Sequence, residues 1–190
     1  LAFDTEGTSA EAFADLAAIQ HAHPRRALVI GGGGEGVARA LGRHAIPLIH
    51  DLEIDQRAYG LVRAHTAAAG DRATAGGRVV VIFEEPRRYL DRADPYDLIL
   101  VAAGEPTSGA SSRFYTREFF AQCARRLTPG GVIAIRLAAA ENGWPGPLAL
   151  RTASIVAAMQ REFRSIEFLA GATLYVFASN RSLTSDPAVL

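Results

Sequence analysis

Apolar positions along this chain follow two alternating rhythms. Short, nearly continuous apolar runs recur at Arg26–Ile30, Ile46–Leu52, Arg78–Phe83, Asp97–Ala102 and Val132–Leu137. Runs of that length without polar alternation suit parallel strands buried on both faces. Between them lie segments whose apolar residues recur every three or four positions, as one face of a helix requires. The first is Ala10–Ala22, with Phe13, Leu16, Ala17 and Ile19 near helical spacing, Ser9 as cap and Pro24 as stop. Others follow Gly36 to about His44, then Gln56 to about Ala68, Pro86–Asp91, Tyr115–Leu127 and about Leu150–Phe163. On Tyr115–Leu127, the residues Phe119, Cys123 and Leu127 share a face. Gly70–Gly77, Ala103–Ser112, Pro129-Gly130-Gly131 and Gly143–Pro147 read as loops or turns. Ser165–Leu169 and Thr173–Ser179, parted by Ala170-Gly171-Ala172, predict a closing hairpin.

Strand and helix thus alternate five times before the hairpin. The order predicts an α/β fold: a doubly wound, mostly parallel sheet with right-handed crossovers and a C-terminal antiparallel hairpin. That ending favours the class I methyltransferase-like, Rossmann-like type over a plain dinucleotide fold. At 190 residues, one domain over 1–190 is expected.

Composition narrows the chemistry. Basic and acidic residues balance at 20 each, which argues against a nucleic-acid partner. Every basic residue is Arg. A P-loop and Schiff-base catalysis both need a Lys amine, so both are excluded. The single cysteine, Cys123, excludes an internal disulfide, a C-x-x-C redox pair and a thiolate zinc cluster. No apolar run is long enough to span a bilayer. The expectation is therefore a cytoplasmic chain, with any membrane segment lying outside it. Opening on Leu1, with Met159 the only Met, the chain reads as an excised piece.

Gly31, Gly33 and Gly36 satisfy G-x-G-x-x-G directly between a strand and a helix. Glycines there let backbone N–H groups approach a ligand closely. About 20 residues on, Asp51, Glu53 and Asp55 close the second strand, where a carboxylate can accept both hydroxyls of a ribose. Glu84 and Glu85 follow the third strand and offer acceptors for an adenine amino group, or form a solvated pair beside Arg87 and Arg88. His21 and His23 form H-x-H at a helix end without a carboxylate grouping, so a solvated turn outweighs a metal site. His44, His50 and His65 lack ligand spacing. Ser111-Ser112 lack a nucleophile-elbow setting. The Arg pairs 25–26, 87–88 and 125–126 read as solvated faces.

Several stretches together resemble one family. Ala27-Leu-Val-Ile-Gly-Gly-Gly-Gly-Glu-Gly36, Leu52-Glu-Ile-Asp55, Pro95-Tyr-Asp-Leu-Ile-Leu100, Arg113-Phe-Tyr-Thr-Arg-Glu-Phe-Phe120, Leu127-Thr-Pro-Gly-Gly-Val132 and Tyr175-Val-Phe-Ala-Ser179 look like the spermidine synthase (polyamine aminopropyltransferase) family. Arg113-Phe-Tyr-Thr116 and Leu183-Thr-Ser-Asp-Pro187 look most like a bacterial branch often fused to membrane segments.

The resemblance implies transfer of an aminopropyl group from decarboxylated S-adenosylmethionine to putrescine, with no covalently bound cofactor. It implies that Gly31, Gly32, Gly33 and Glu35 shape the nucleoside site. Glu53 would take the ribose, and Glu85, with Glu84 beside it, the adenine. On the amine side the chain departs from the family. Ala102 stands where an Asp ends the fourth strand, Glu105 where another precedes Pro106, and Gly34 where the glycine-rich motif carries Asp. The family's N-terminal β domain is absent from this chain. Glu105 is then the candidate base and Tyr115 a pocket wall or a core residue. Expected partners are a nucleoside and a polyamine, with a homodimer as one open assembly. Two other readings stay open: a non-catalytic domain that senses an adenosyl ligand or serves assembly, and a methyltransferase using S-adenosylmethionine itself.

Overall fold

The computed structural model describes residues 8–32, 34–66, 77–140 and 145–183. Gly33, most of the Gly70–Gly77 loop, Gly143 and the Thr184–Pro187 stretch lie outside the described residues. Seven strands form one sheet: β1 (Arg26–Ile30), β2 (Leu48–Glu53), β3 (Arg78–Phe83), β4 (Tyr96–Val101), β5 (Leu127–Ala138), β6 (Ser165–Leu169) and β7 (Thr173–Ser179). Their spatial order is β3-β2-β1-β4-β5-β7-β6. The first five run parallel, and β7 lies antiparallel between β5 and β6. The predicted doubly wound sheet with its closing hairpin is therefore the observed fold.

Strand alternation sends successive side chains to opposite faces, and each face has its own core. Leu28, Ile30, Leu52 and Ile99 pack with Leu90 of α4 (Pro86–Arg92), with Phe119, Phe120 and Cys123 of α6 (Arg117–Arg125), and with Ile155 and Met159 of α7 (Gly146–Gln160). Ala27, Val29, Ile49, Leu98 and Leu100 pack on the other face. Their partners are Phe13, Ala14 and Ala17 of α1 (Thr8–Ile19) and Val37 and Leu41 of α2 (Val37–Leu41). The helix α3 (Gln56–Thr66) links β2 to β3, and the short α5 (Gly109–Ser112) lies in the expected loop after β4. No helix among the described residues is long and apolar enough to cross a membrane.

Several boundaries differ from expectation, among them β2, which starts at Leu48, and α7, which starts at Gly146. α1 ends at Ile19, before the Pro24 taken as its stop. Tyr115 sits in a 3₁₀ turn (Arg113–Tyr115), because Thr116 caps the next helix by accepting from the Phe119 N–H at 3.3 Å. The Pro129-Gly130-Gly131 turn lies inside β5, which starts at Leu127 opposite Tyr96 and slips register before Val132 meets Leu98. The extra residues form a bulge, with Gly130 at φ +83°.

Polar groups lock the amino edge of the sheet. Asp97 accepts from the Arg25 and Arg26 N–H groups at 2.8 and 3.0 Å and from Thr128 at 2.7 Å. The ring nitrogen Nδ1 of His50 lies 2.6 Å from the Tyr96 hydroxyl and 2.8 Å from that of Tyr89. Arg26 lies over the Tyr96 ring, and Arg126 donates to the Leu90 carbonyl at 2.5 Å and to that of Asp91. Arg87 donates to Gln122 at 2.9 Å, so three of the six paired arginines hold the fold rather than merely facing water.

Candidate functional site

Strand order reverses between β1 and β4, so their carboxyl ends open a crevice. β1 leaves the sheet through Gly31 and Gly32, both left-handed at φ +73° and +76°. The Gly31 N–H donates to the Leu52 carbonyl at 2.9 Å, tying the turn to β2. A Cβ on Gly32 would stand 2.7 Å from the Ala102 Cβ, and one on Gly31 3.2 Å from the Ala103 Cα. The turn thus lies directly on the end of β4, a placement only glycine permits. Gly33 lies outside the described residues. Gly34 faces Val62 of α3, where a Cβ would come within 2.6 Å of Cγ1.

The carboxylates divide by the company they keep. Glu53 ends β2, half-buried, and its carbonyl accepts from the Glu84 N–H at 3.0 Å. Glu84 is paired with Arg92 at 2.5 Å and lies 3.8 Å from Arg88. Glu85 caps α4 by accepting from the Arg88 N–H at 2.9 Å. Its other oxygen, 3.5 Å from Arg113, makes no hydrogen bond. Glu53, Glu84 and Glu85 are brought together at the ends of β2 and β3. Asp55 is exposed and accepts from the Arg57 and Ala58 N–H groups at the start of α3.

Glu35, Glu105 and Tyr115 gather in the other half of the crevice. Glu35 pairs with Arg136 near the end of β5, and Arg136 also reaches Ser9 of α1 at 3.3 Å. Glu105 accepts from the Ala138 N–H at 2.5 Å and from Arg151 of α7 at 2.6 Å. The Tyr115 hydroxyl donates to the Ala103 carbonyl at 2.9 Å. Burial raises its pKa. The Glu105 charge adds to that, and Arg136 and Arg151 oppose it. Three charges therefore act on one hydroxyl. Ala102, only 2% exposed, presents a methyl beneath the glycine turn.

Two site residues escaped the sequence reading, and the burial of a third was not expected. Arg136 and Arg151 are far in sequence from the carboxylates they hold. Asp51, one of the three acids at the end of the second strand, is 3% exposed. Burial foremost, with the nearby Glu53 charge, pushes its carboxyl up to about 7, and Arg63 opposes the shift. Its Oδ1 is buried without a hydrogen-bond partner.

Among the described residues no three His, Cys, Asp or Glu side chains group as metal ligands. A cavity of about 620 Å³ lies elsewhere, at the end of α1, lined by His21, His44 and Arg181. The chemistry described above is not in it.

Residues 6–143 match the family described as the spermine/spermidine synthase domain. A polyamine aminopropyltransferase of Prochlorococcus marinus is 34% identical over 112 residues, covering 57% of this chain and 39% of that relative. One of Pseudomonas aeruginosa is 32% identical over 124 residues, covering 63% and 35%. The matched stretch is thus well under half the length of these curated relatives. Among solved structures, a spermidine synthase in complex with the transition-state analogue AdoDATO superposes with a TM-score of 0.75 at 20% identity, covering 93% of this chain and 61% of that one. Human methyltransferase-like protein 13 in complex with SAH gives 0.64 at 18% identity, covering 95% and 83%. At these identities the structural likeness bears on the fold.

Proposed function

This chain belongs to the spermine/spermidine synthase family, and from that premise we propose that it is an aminopropyltransferase domain taking decarboxylated S-adenosylmethionine as co-substrate. Gly31 and Gly32 bring backbone against the nucleoside. Glu53 accepts the ribose hydroxyls, and Glu85 accepts the adenine amino group. Tyr115 walls the reacting end and Glu105 is the base. In the reaction a deprotonated amine attacks the propyl carbon on sulfur. The C–N bond forms, the C–S bond breaks with its electron pair kept by sulfur, and methylthioadenosine leaves.

The observation that carries this reading is the glycine turn seated on β4 with Glu53 and Glu85 at the neighbouring strand ends. The base is its slow part. Ala102 offers no proton acceptor, and Glu105 is held by Arg151. A missing acid–base group costs about 10²–10⁴-fold in rate. Those same two observations favour the second reading, a domain that binds an adenosyl ligand without turning it over.

Calorimetry with methylthioadenosine tests the nucleoside site. Binding is expected, and Glu53→Ala should weaken it about tenfold or more through lost charge-assisted hydrogen bonds. Absence of binding by the parent chain refutes the proposal. Release of methylthioadenosine from decarboxylated S-adenosylmethionine in the presence of an amine then separates transferase from sensor.

A further inference from the structure

We propose that the acceptor of this domain is a zwitterion, an amine that also carries a carboxylate as amino acids do, rather than a bare diamine. The inference rests on the aminopropyl-donor reading of the crevice and concerns its other half. Two ion pairs stand there among the described residues, Glu35 with Arg136 and Glu105 with Arg151. Their side chains are only 15–34% exposed, so the charges act on one another with little screening. The charges of Glu105, Arg136 and Arg151 also converge on the Tyr115 hydroxyl, which places the two pairs around one region. Their sum is zero.

A doubly protonated diamine would enter that region as a dication. To reach either carboxylate it must displace an arginine and then sit beside it, like charge against like. A zwitterion leaves the sum at zero. Its ammonium goes to Glu105 and its carboxylate to Arg151, so one pair becomes two. Arginine suits this role because its planar donor fork matches a carboxylate. Glu105 does not satisfy the whole guanidinium: Arg151 Nε is buried and makes no hydrogen bond.

The exchange also explains how a base held by an arginine could act. When the acceptor's carboxylate takes Arg151, Glu105 is released and accepts a proton from the ammonium. The neutral nitrogen then attacks the propyl carbon. The C–N bond forms, the C–S bond breaks with its electron pair on sulfur, and methylthioadenosine departs. Glu105 passes its proton to water. The acceptor's own carboxylate is thus what frees the base.

L-ornithine and putrescine differ by one carboxylate, so ornithine brings one net positive charge where putrescine brings two, and the pair isolates what the added anion contributes. Calorimetry on the 190-residue chain saturated with methylthioadenosine should show ornithine binding at least about tenfold tighter than putrescine. Arg151→Gln should abolish that preference, with putrescine unchanged or tighter. Arg151→Lys, which keeps the charge without the fork, should restore part of it. Arg136→Gln provides a second, independent loss should Arg151→Gln not fold. Equal or tighter binding of putrescine by the parent chain overturns the proposal, as does binding of neither probe. If methylthioadenosine itself does not bind, the donor reading has failed and the inference falls with it. Nucleoside binding without ornithine preference defeats the inference alone.

Discussion

Substituting Gly32→Ala probes the contact on which the crevice is built. Two costs add. Alanine in the left-handed region loses roughly 1–2 kcal/mol relative to a right-handed setting. Its Cβ would also stand 2.7 Å from the Ala102 Cβ, an overlap that must push turn and strand apart at about 1–3 kcal/mol. The stiffer unfolded chain returns about 0.4–1 kcal/mol. The net expectation is a loss of about 2–4 kcal/mol, a large share of the roughly 5–15 kcal/mol that holds a domain folded. Urea unfolding reads this as a midpoint lowered by about 1–2 M at unchanged slope. Removing the opposing methyl isolates the overlap. In the Gly32→Ala, Ala102→Gly double variant the steric part should vanish while the backbone part remains, giving a coupling of about 1–3 kcal/mol. Gly104→Ala is the control, with no heavy atom within 4 Å of its added Cβ and no positive φ, and should stay within about 0.5 kcal/mol of the parent. The reasoning is refuted if Gly32→Ala behaves like that control or if the double variant is merely additive.

Asp51 makes stability depend on pH with an unusual sign. Folded, its carboxyl holds a proton up to about 7, against 3.8 when free. Between those values the folded chain binds more protons, so stability should fall as pH rises through the window and level off above it. The full span is about 4 kcal/mol at most, and Asp51→Asn should flatten it. Urea titrations from pH 4 to 8 on both chains decide the matter, and parallel slopes would count against buried Asp51 as the source. For Glu105→Ala, loss of the carboxylate leaves Arg151 unpaired and the Ala138 N–H without its acceptor. Stability should drop by about 1–2 kcal/mol, and hydrogen exchange at Ala138 should quicken. Unaltered exchange there would show that Glu105 does not hold the end of β5.

What could be read from the sequence follows the range of the forces involved. Arg26–Ile30, Arg78–Phe83, Ser165–Leu169 and Thr173–Ser179 have the bounds expected, because each run is closed by its own breaker or turn residues, such as Pro24, Gly31, Gly77, Pro86 and Gly171; β3 and β6 are edge strands and only partly buried. The glycine turn was legible for a similar reason: positive φ is a backbone demand met at the position itself. β5 was not, because Pro129-Gly130-Gly131 is a local turn signal overruled by pairing of Leu127 with Tyr96 across the sheet. Asp51 was missed for the same kind of reason. Its place at the end of the second strand was visible, but its burial depends on what packs over β2 rather than on spacing. The acceptor half was the least legible of all. Arg136 lies 101 residues from Glu35 and Arg151 lies 46 from Glu105, and no period connects them. Considered alone, Glu105 is a spare carboxylate beside a proline, suited to deprotonate an amine. Beside Arg151 it is a base already occupied, available only to an acceptor that offers the arginine another anion. The long-range pairing turns the question from whether a base is present into what releases it, and the acceptor proposed above is the answer that charge balance favours.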